Sequence, residues 1–208
     1  MGPYTRDTID SGSGDALSLR PVHVSQPGVL HVRIYYDTNI TSGRILRDLK
    51  PDPEMEALDA LEKLHTAGTL KRVSSKWFRI EQARTKDPTK RAAFEALDHE
   101  MSCVQQDHRL LGFSHQDLGQ LGFIASPIVT DTVDDAIFEK LRATGLAETD
   151  AFHVMCAITG NCDVFVTVDT KDILPKRDAL EATCPQILIR RPTELLADLR
   201  ASGLLPEV

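Results

Sequence analysis

The chain of 208 residues lacks several features that would have narrowed its function at once. No run approaches the roughly 18 apolar residues that a membrane-spanning helix requires. Met1 to Gln26 has neither a basic start nor an apolar signal core. No membrane partner is expected, and the cytoplasm is the default compartment. No C-x-x-C pair exists among Cys103, Cys156, Cys162 and Cys184, which fall in different expected elements. Neither a zinc ribbon nor a disulfide framework is indicated, so these read as reduced thiols, mostly in the core. Positive charge is not in excess, since 31 acidic against 24 basic residues leave a formal net charge of −7. That balance argues against nucleic-acid binding by global attraction, while local charge can still differ. No internal repeat or low-complexity array is visible.

What is present is enough to build one ordinary domain, with 41% hydrophobic residues. Residues 1–28 are rich in Gly, Ser, Asp and Thr with little apolar periodicity, and read as a flexible N-terminal tail ending at Pro27-Gly28. The single domain then spans 29–208. Val29 to Tyr36 is a β-branched and aromatic run, Pro53 to Ala67 carries Met55, Leu58, Leu61 and Leu64 at helical spacing, and Leu70 to Val73 is a short strand. Ser74 or Ser75 caps a helix to about Arg84, and Pro88 opens another with Phe94 and Leu97 on one face. Residues from about 87 to 144 read as a helical insertion, with 107–130 the least legible part and Asp131 to Arg142 a helix. Thr149 stands before a helix ending at Gly160, Val164 to Val168 has the character of a central strand, Gln186 to Ile189 repeats it after a helical segment, and Thr193 to Arg200 closes as a helix. Alternating strands and helices imply an α/β fold, three-layer α/β/α around a central, mainly parallel sheet.

Chemistry-bearing residues gather where the apolar runs end. Asp37 follows Ile34-Tyr35-Tyr36, and Asp169 follows Val164-Phe165-Val166-Thr167-Val168. In a parallel sheet the carboxyl ends of strands line the functional crevice. Glu81, in the helix after the second strand, and Asp150, at a helix start, can be argued onto the same edge. Clustered carboxylates cannot all stay ionised unless they take up protons or bind cations. An oxygen-only set with no Cys and no clustered His favours Mg²⁺ or Mn²⁺.

The flanking residues resemble the PIN-domain family of metal-dependent nucleases. Asp37-Thr38-Asn39 is similar to that family's opening motif at the end of strand one. Val73-Ser74-Ser75 followed by Glu81 looks like its strand, short turn and acidic helix. Asp150-Ala151-Phe152-His153, then Ala157, then Asp163 through Asp169, resembles its Asp-x-x-His/Ile helix leading into a strand that ends Thr-x-Asp. The likeness covers roughly 29–86 and 145–200. It departs at Asp172, which lies three residues past Asp169 where many members carry an acid two residues on. The resemblance implies a PIN-like fold and hydrolysis of phosphodiester bonds in RNA, or in single-stranded or structured nucleic acid. Asp37, Glu81, Asp150 and Asp169 are then both the catalytic set and the ligands of one or two ions that activate a water. Asn39, Thr167 and Asp172 support them from behind. Toxin-type ribonucleases in the family bring in a small antitoxin-like protein as a partner, and homo-oligomerisation stays open.

A substrate path is suggested by the stretch from Lys71 to Arg91, where Lys71, Arg72, Lys76, Arg79, Arg84, Lys86, Lys90 and Arg91 face only Glu81 and Asp87. Lys76 and Arg84 are the candidate phosphate contacts, with Trp77 a stacking surface or a core residue. Plainer readings stand beside these. Asp37 and Asn39 also suit a turn, Asp150 suits a helix dipole, Glu81 suits an i,i+3 pair with Arg84, and His153 suits a hydrogen-bonded structural role. An inactive PIN-like module that binds nucleic acid or protein is the alternative function. A phosphatase with an aspartyl nucleophile, resembling the haloacid dehalogenase pattern, is a further one, but it needs an acid where Asn39 stands.

Overall fold

The structure is a computed structural model that describes residues 32–99, 102–103, 109–110, 129–130 and 134–205. The expected tail at 1–28 and most of 107–130, including His108 and His115, lie outside the described residues. Strand β1 (Val32–Tyr36) leads through α1 (Thr38–Leu46) and α2 (Asp52–Thr66) to β2 (Leu70–Ser74), then α3 (Lys76–Ala83) and α4 (Pro88–His99). Short strands β3 (Ser102–Cys103), β4 (Arg109–Leu110) and β5 (Val129–Thr130) follow, then α5 (Asp135–Ala143), α6 (Glu148–Thr159) and β6 (Val164–Val166). The chain ends through a 3₁₀ turn (Leu174–Lys176), α7 (Arg177–Thr183), β7 (Leu188–Arg190) and α8 (Pro192–Ala201).

One sheet has the strand order β3-β2-β1-β6-β7, and every pairing within it is parallel. Alternation along the strands divides the core. Ile34, Tyr36, Leu70, Val164 and Val166 pack with Ile40, Leu58, Leu61, Leu195 and Leu199 of α1, α2 and α8. Tyr35, Val73, Phe165 and Ile189 face the other way, onto Leu141, Val154, Met155 and Leu180 of α5, α6 and α7. Strands buried on both faces need apolar residues at every position, as Val164-Phe165-Val166 has. The result is a three-layer α/β/α arrangement. Within the expected insertion, α4 is joined to this body, because Phe94 packs edge-on against Phe78 of α3 at 6.1 Å and Ile45 of α1 lies beside them.

Helix α1 was not expected. Thr38, Asn39, Ile40, Thr41, Ser42 and Gly43 are poor helix formers, so propensity argues for a loop. Tertiary packing overrides it. Ile40 is fully buried, and Gly43 sits so close to Leu49 that a Cβ there would come within 2.6 Å of Leu49 Cγ. Several other bounds shift: the central strand ends at Val166 rather than Val168, the last strand runs Leu188–Arg190, and the helix bearing Asp150 begins at Glu148. The starts expected at Ser75 and at Pro88 are found, the second with Asp87 as an additional cap. Ser75 Oγ accepts from Phe78 N–H at 3.4 Å to start α3, and Asp87 accepts from Thr89 and Lys90 N–H at 2.8 and 3.1 Å to start α4.

Candidate functional site

The connection after β1 runs to one side of the sheet and the connection after β6 to the other, so the strand order reverses between these two neighbours. In open parallel sheets that reversal opens a crevice at the carboxyl ends. Tyr36 and Val166 are paired across it, and Asp37 N–H continues the ladder to Val166 C=O at 3.0 Å. Asp37 and Thr167 are therefore held side by side by backbone register, and Asp169 is two residues further on.

Asp37 is 7% exposed and its carboxylate is firmly oriented. Oδ1 accepts from Thr38 N–H at 2.7 Å, and Oδ2 accepts from Asn39 Nδ2 and Thr167 Oγ1, each at 2.7 Å. The supporting groups are themselves tied in place. Asn39 Nδ2 gives its second hydrogen to Thr167 Oγ1 at 3.1 Å, Asn39 Oδ1 accepts from Val168 N–H at 3.4 Å, and Thr167 Oγ1 also accepts from Asp169 N–H at 3.0 Å. Each carboxylate oxygen offers two lone pairs, so these bonds fill Oδ2 and leave one position on Oδ1. Burial raises the Asp37 carboxyl above its usual range, opposed by His153 and by the hydrogen bonds from Thr167 and Thr38.

Asp150 lies in the first turn of α6, and its carboxyl is pushed up to about 6 by burial, then by the charges of Asp37, Asp169 and Asp172. That places Asp150 in the common field of three other carboxylates. Asp169 Oδ1 accepts from Lys171 and Asp172 N–H at 2.8 and 2.9 Å, which shapes the turn after β6. Asp172 is exposed, and contributes to the site through this backbone contact and through its charge. Glu81, on α3, receives the hydroxyl of Thr38 on Oε2, and His153 Nε2 stands 3.2 Å from the same oxygen. His153 Nε2 makes no aligned hydrogen bond there, so the two atoms stand in close polar contact. Burial would raise the Glu81 carboxyl, but His153, Thr38 and Arg84 outweigh it and bring it below the usual range.

Among the described residues, no three His, Cys, Asp or Glu side chains form a group tight enough to enclose an ion by themselves. Mg²⁺ typically takes one or two carboxylates and completes its shell with water and substrate phosphate, so an all-protein cage is not the arrangement to expect for it.

The basic stretch is only partly available to a substrate. Arg84 is exposed just past α3, and the side chain of Lys76 lies outside the described residues. Arg72 does not belong to such a path. Strand alternation turns it into the α1/α2 layer, where it is 3% exposed and pairs with Glu62 at 3.0 Å. Trp77 is half-buried, with one face stacked on Phe152 at 4.1 Å, and Phe152 in turn stacks on Phe138 at 4.4 Å. Sequence reasoning missed Tyr35 and Ser75, which sit behind the acids. The available signal was a tyrosine at an inward strand position, whose hydroxyl must find a partner when buried.

The described residues define a class by architecture: an α/β protein with an all-parallel sheet and acidic residues at its strand-order reversal. Comparison with models of known families, with curated proteins and with solved structures gave no significant match. No described helix is long and apolar enough to cross a membrane.

Proposed function

We propose that the protein is a divalent-metal-dependent nuclease, an endoribonuclease hydrolysing phosphodiester bonds, with a PIN-like fold. The observation that carries this reading is the placement of Asp37 and Asp169 just past the paired strands β1 and β6, with Asp150 close enough that burial first, and then the charges of Asp37, Asp169 and Asp172, raise its carboxyl. Carboxylates that repel one another on a ligand-binding edge are a poor investment for stability and a good one for a cation. A bound Mg²⁺ or Mn²⁺ would supply an activated water and neutralise phosphate oxygens. In this reading Asp37, Glu81, Asp150 and Asp169 would serve one or two such ions, each held directly by one or two of them and otherwise by water and phosphate. Asn39 and Thr167 hold Asp37 in one orientation, the turn after β6 holds Asp169, and Arg84 and Lys76 draw the phosphate backbone toward the acids.

A second reading keeps the fold and drops the chemistry, leaving a module that binds nucleic acid or protein. Its support is that Glu81 Oε2 and Asp169 Oδ1 are already engaged by Thr38, His153 and turn amides. Incubation of the purified protein with mixed RNA and DNA substrates, with Mn²⁺ and with EDTA, separates the two. Cleavage that requires the ion, and that drops by more than about 100-fold in Asp37→Asn and Asp169→Asn, supports the nuclease, because even residues behind a metal ligand are typically worth about 10–100-fold. Binding without cleavage by the wild type supports the module. A toxin-type role, with an antitoxin-like partner, predicts growth arrest on expression that Asp37→Asn abolishes.

A further inference from the structure

Behind Glu81 runs a buried hydrogen-bond chain that crosses from α3 through β1 to His153 on α6, whose other ring nitrogen stands in polar contact with the acid. Phe78 N–H lies 3.4 Å from Ser75 Oγ, Ser75 Oγ 2.6 Å from Tyr35 Oη, Tyr35 Oη 2.8 Å from His153 Nδ1, and His153 Nε2 3.2 Å from Glu81 Oε2. Ser75 and Tyr35 are fully buried and His153 is 2% exposed, so water does not compete along the chain. Its direction is set at its two ends. An ionised carboxylate can only accept, so the nitrogen facing Glu81 carries a hydrogen. A neutral imidazole with hydrogen on Nε2 accepts at Nδ1, and Tyr35 Oη is the group there to donate. Ser75 then donates its proton to Tyr35 Oη and accepts from Phe78 N–H, whose only role is to donate. Every hydroxyl proton has one assigned place.

Resting on the nuclease reading above, we propose that Tyr35 and Ser75 are positioning residues that hold His153 in its Nε2–H tautomer, and that His153 together with Thr38 fixes Glu81 toward the ion. Both contacts fall on Oε2, so Oε1 is the oxygen they leave for a ligand. The arrangement parallels metal sites in which a partner on the far ring nitrogen sets the tautomer of a histidine. Here the histidine orients a ligand and is not one itself.

The test is Tyr35→Phe, which removes a single oxygen from a fully buried ring. Nitrogen NMR of the histidine ring, isothermal titration with Mn²⁺, and steady-state cleavage kinetics are measured on the wild type and the variant, with thermal melts to confirm that both are folded. The expected result is a wild-type His153 with its hydrogen on Nε2. In Tyr35→Phe the ring loses its partner on Nδ1, so the Nε2–H form is less favoured, Mn²⁺ binding weakens by about 10-fold, in line with losses at supporting residues of metal sites, and kcat falls while KM for the nucleic acid stays unchanged. His153→Gln, whose amide retains a donor, is expected to keep more Mn²⁺ affinity than His153→Ala. A wild-type ring with its hydrogen on Nδ1, or a Tyr35→Phe protein that binds Mn²⁺ as the wild type does, overturns the positioning role. Wild-type protein that binds no Mn²⁺ overturns the metal reading itself, and the positioning role with it, whatever the tautomer.

Discussion

Two groups of charged residues, one packed on the α1/α2 face and one at the carboxyl edge of the sheet, handle charge in opposite ways. On the α1/α2 face, Glu62 receives Arg44 at 2.7 Å and Arg72 at 3.0 Å on the same oxygen, so one acid lies between two cations. At the carboxyl edge, Asp37, Asp169 and Asp172 act on Asp150, and Glu81 acts on Asp37, with His153 as the nearby opposing group. The first cluster is compensated from within the chain. The second has an excess of negative charge that the described residues do not cancel, and burial alone would not have favoured it. Polar burial by itself therefore says little about function. The sign of what remains after pairing says more.

The compensated cluster should fail through stability. Arg72→Met removes one cation and leaves Glu62 with Arg44 alone, so the cost falls below the about 3–5 kcal/mol typical when a buried charge is left with no partner. Urea denaturation checks this, with Mn²⁺ binding of the folded fraction expected to be unchanged. The acidic edge should fail through function. Thr167→Val keeps the shape of the side chain but removes the hydroxyl that donates to Asp37 Oδ2 and accepts from Asp169 N–H. A loss of about 10–100-fold in Mn²⁺ affinity or cleavage is expected, from titration and kinetics, for a group that orients a ligand.

The smallest expected effect has a sign that sharpens the contrast. Asp150 has its carboxyl raised to about 6 from an ordinary value of 3.8. The folded state therefore holds a proton there that the unfolded chain releases, between those two values. The penalty is absent below the unfolded value, grows as pH rises through this window, and is complete above about 6. Asp150→Asn should thus stabilise the ion-free protein at neutral pH, on the order of 1 kcal/mol once solvent screening of this partly exposed group is allowed for. At pH below the unfolded carboxyl value it should change nothing. Melting curves at both ends of the window, in EDTA, read the difference. If neutral-pH stability were unaltered, the carboxylates would not be sharing a field.

Legibility varied with the kind of signal. Val164-Phe165-Val166 and the Met55, Leu58, Leu61 pattern carry their periods in the sequence, and both elements are found. α1 could not be read, because its stability comes from Ile40 burial and the close approach of Leu49 to Gly43. Arg72 misled for a related reason. Its neighbours are basic and exposed, and only the pairing of β2 with β1 turns it inward to Glu62. At the site, Asp37, Asn39 and Thr167 were legible as a set, and they are joined by hydrogen bonds of 2.7–3.1 Å. Tyr35 and Ser75 were not, because nothing local links residues 40 positions apart.

By itself the sequence determined which segments become strands and helices on strong periodicity, and where acids stand relative to strand ends, because both depend on neighbours along the chain. The tertiary structure decided that β1 and β6 lie side by side at the order reversal, that Asp150 shares the field of Asp37 and Asp169, and that Arg72 turns away from them to meet Glu62. Those outcomes depend on strand order and on which face each residue takes, and the energies that select them come from contacts between residues far apart in the chain.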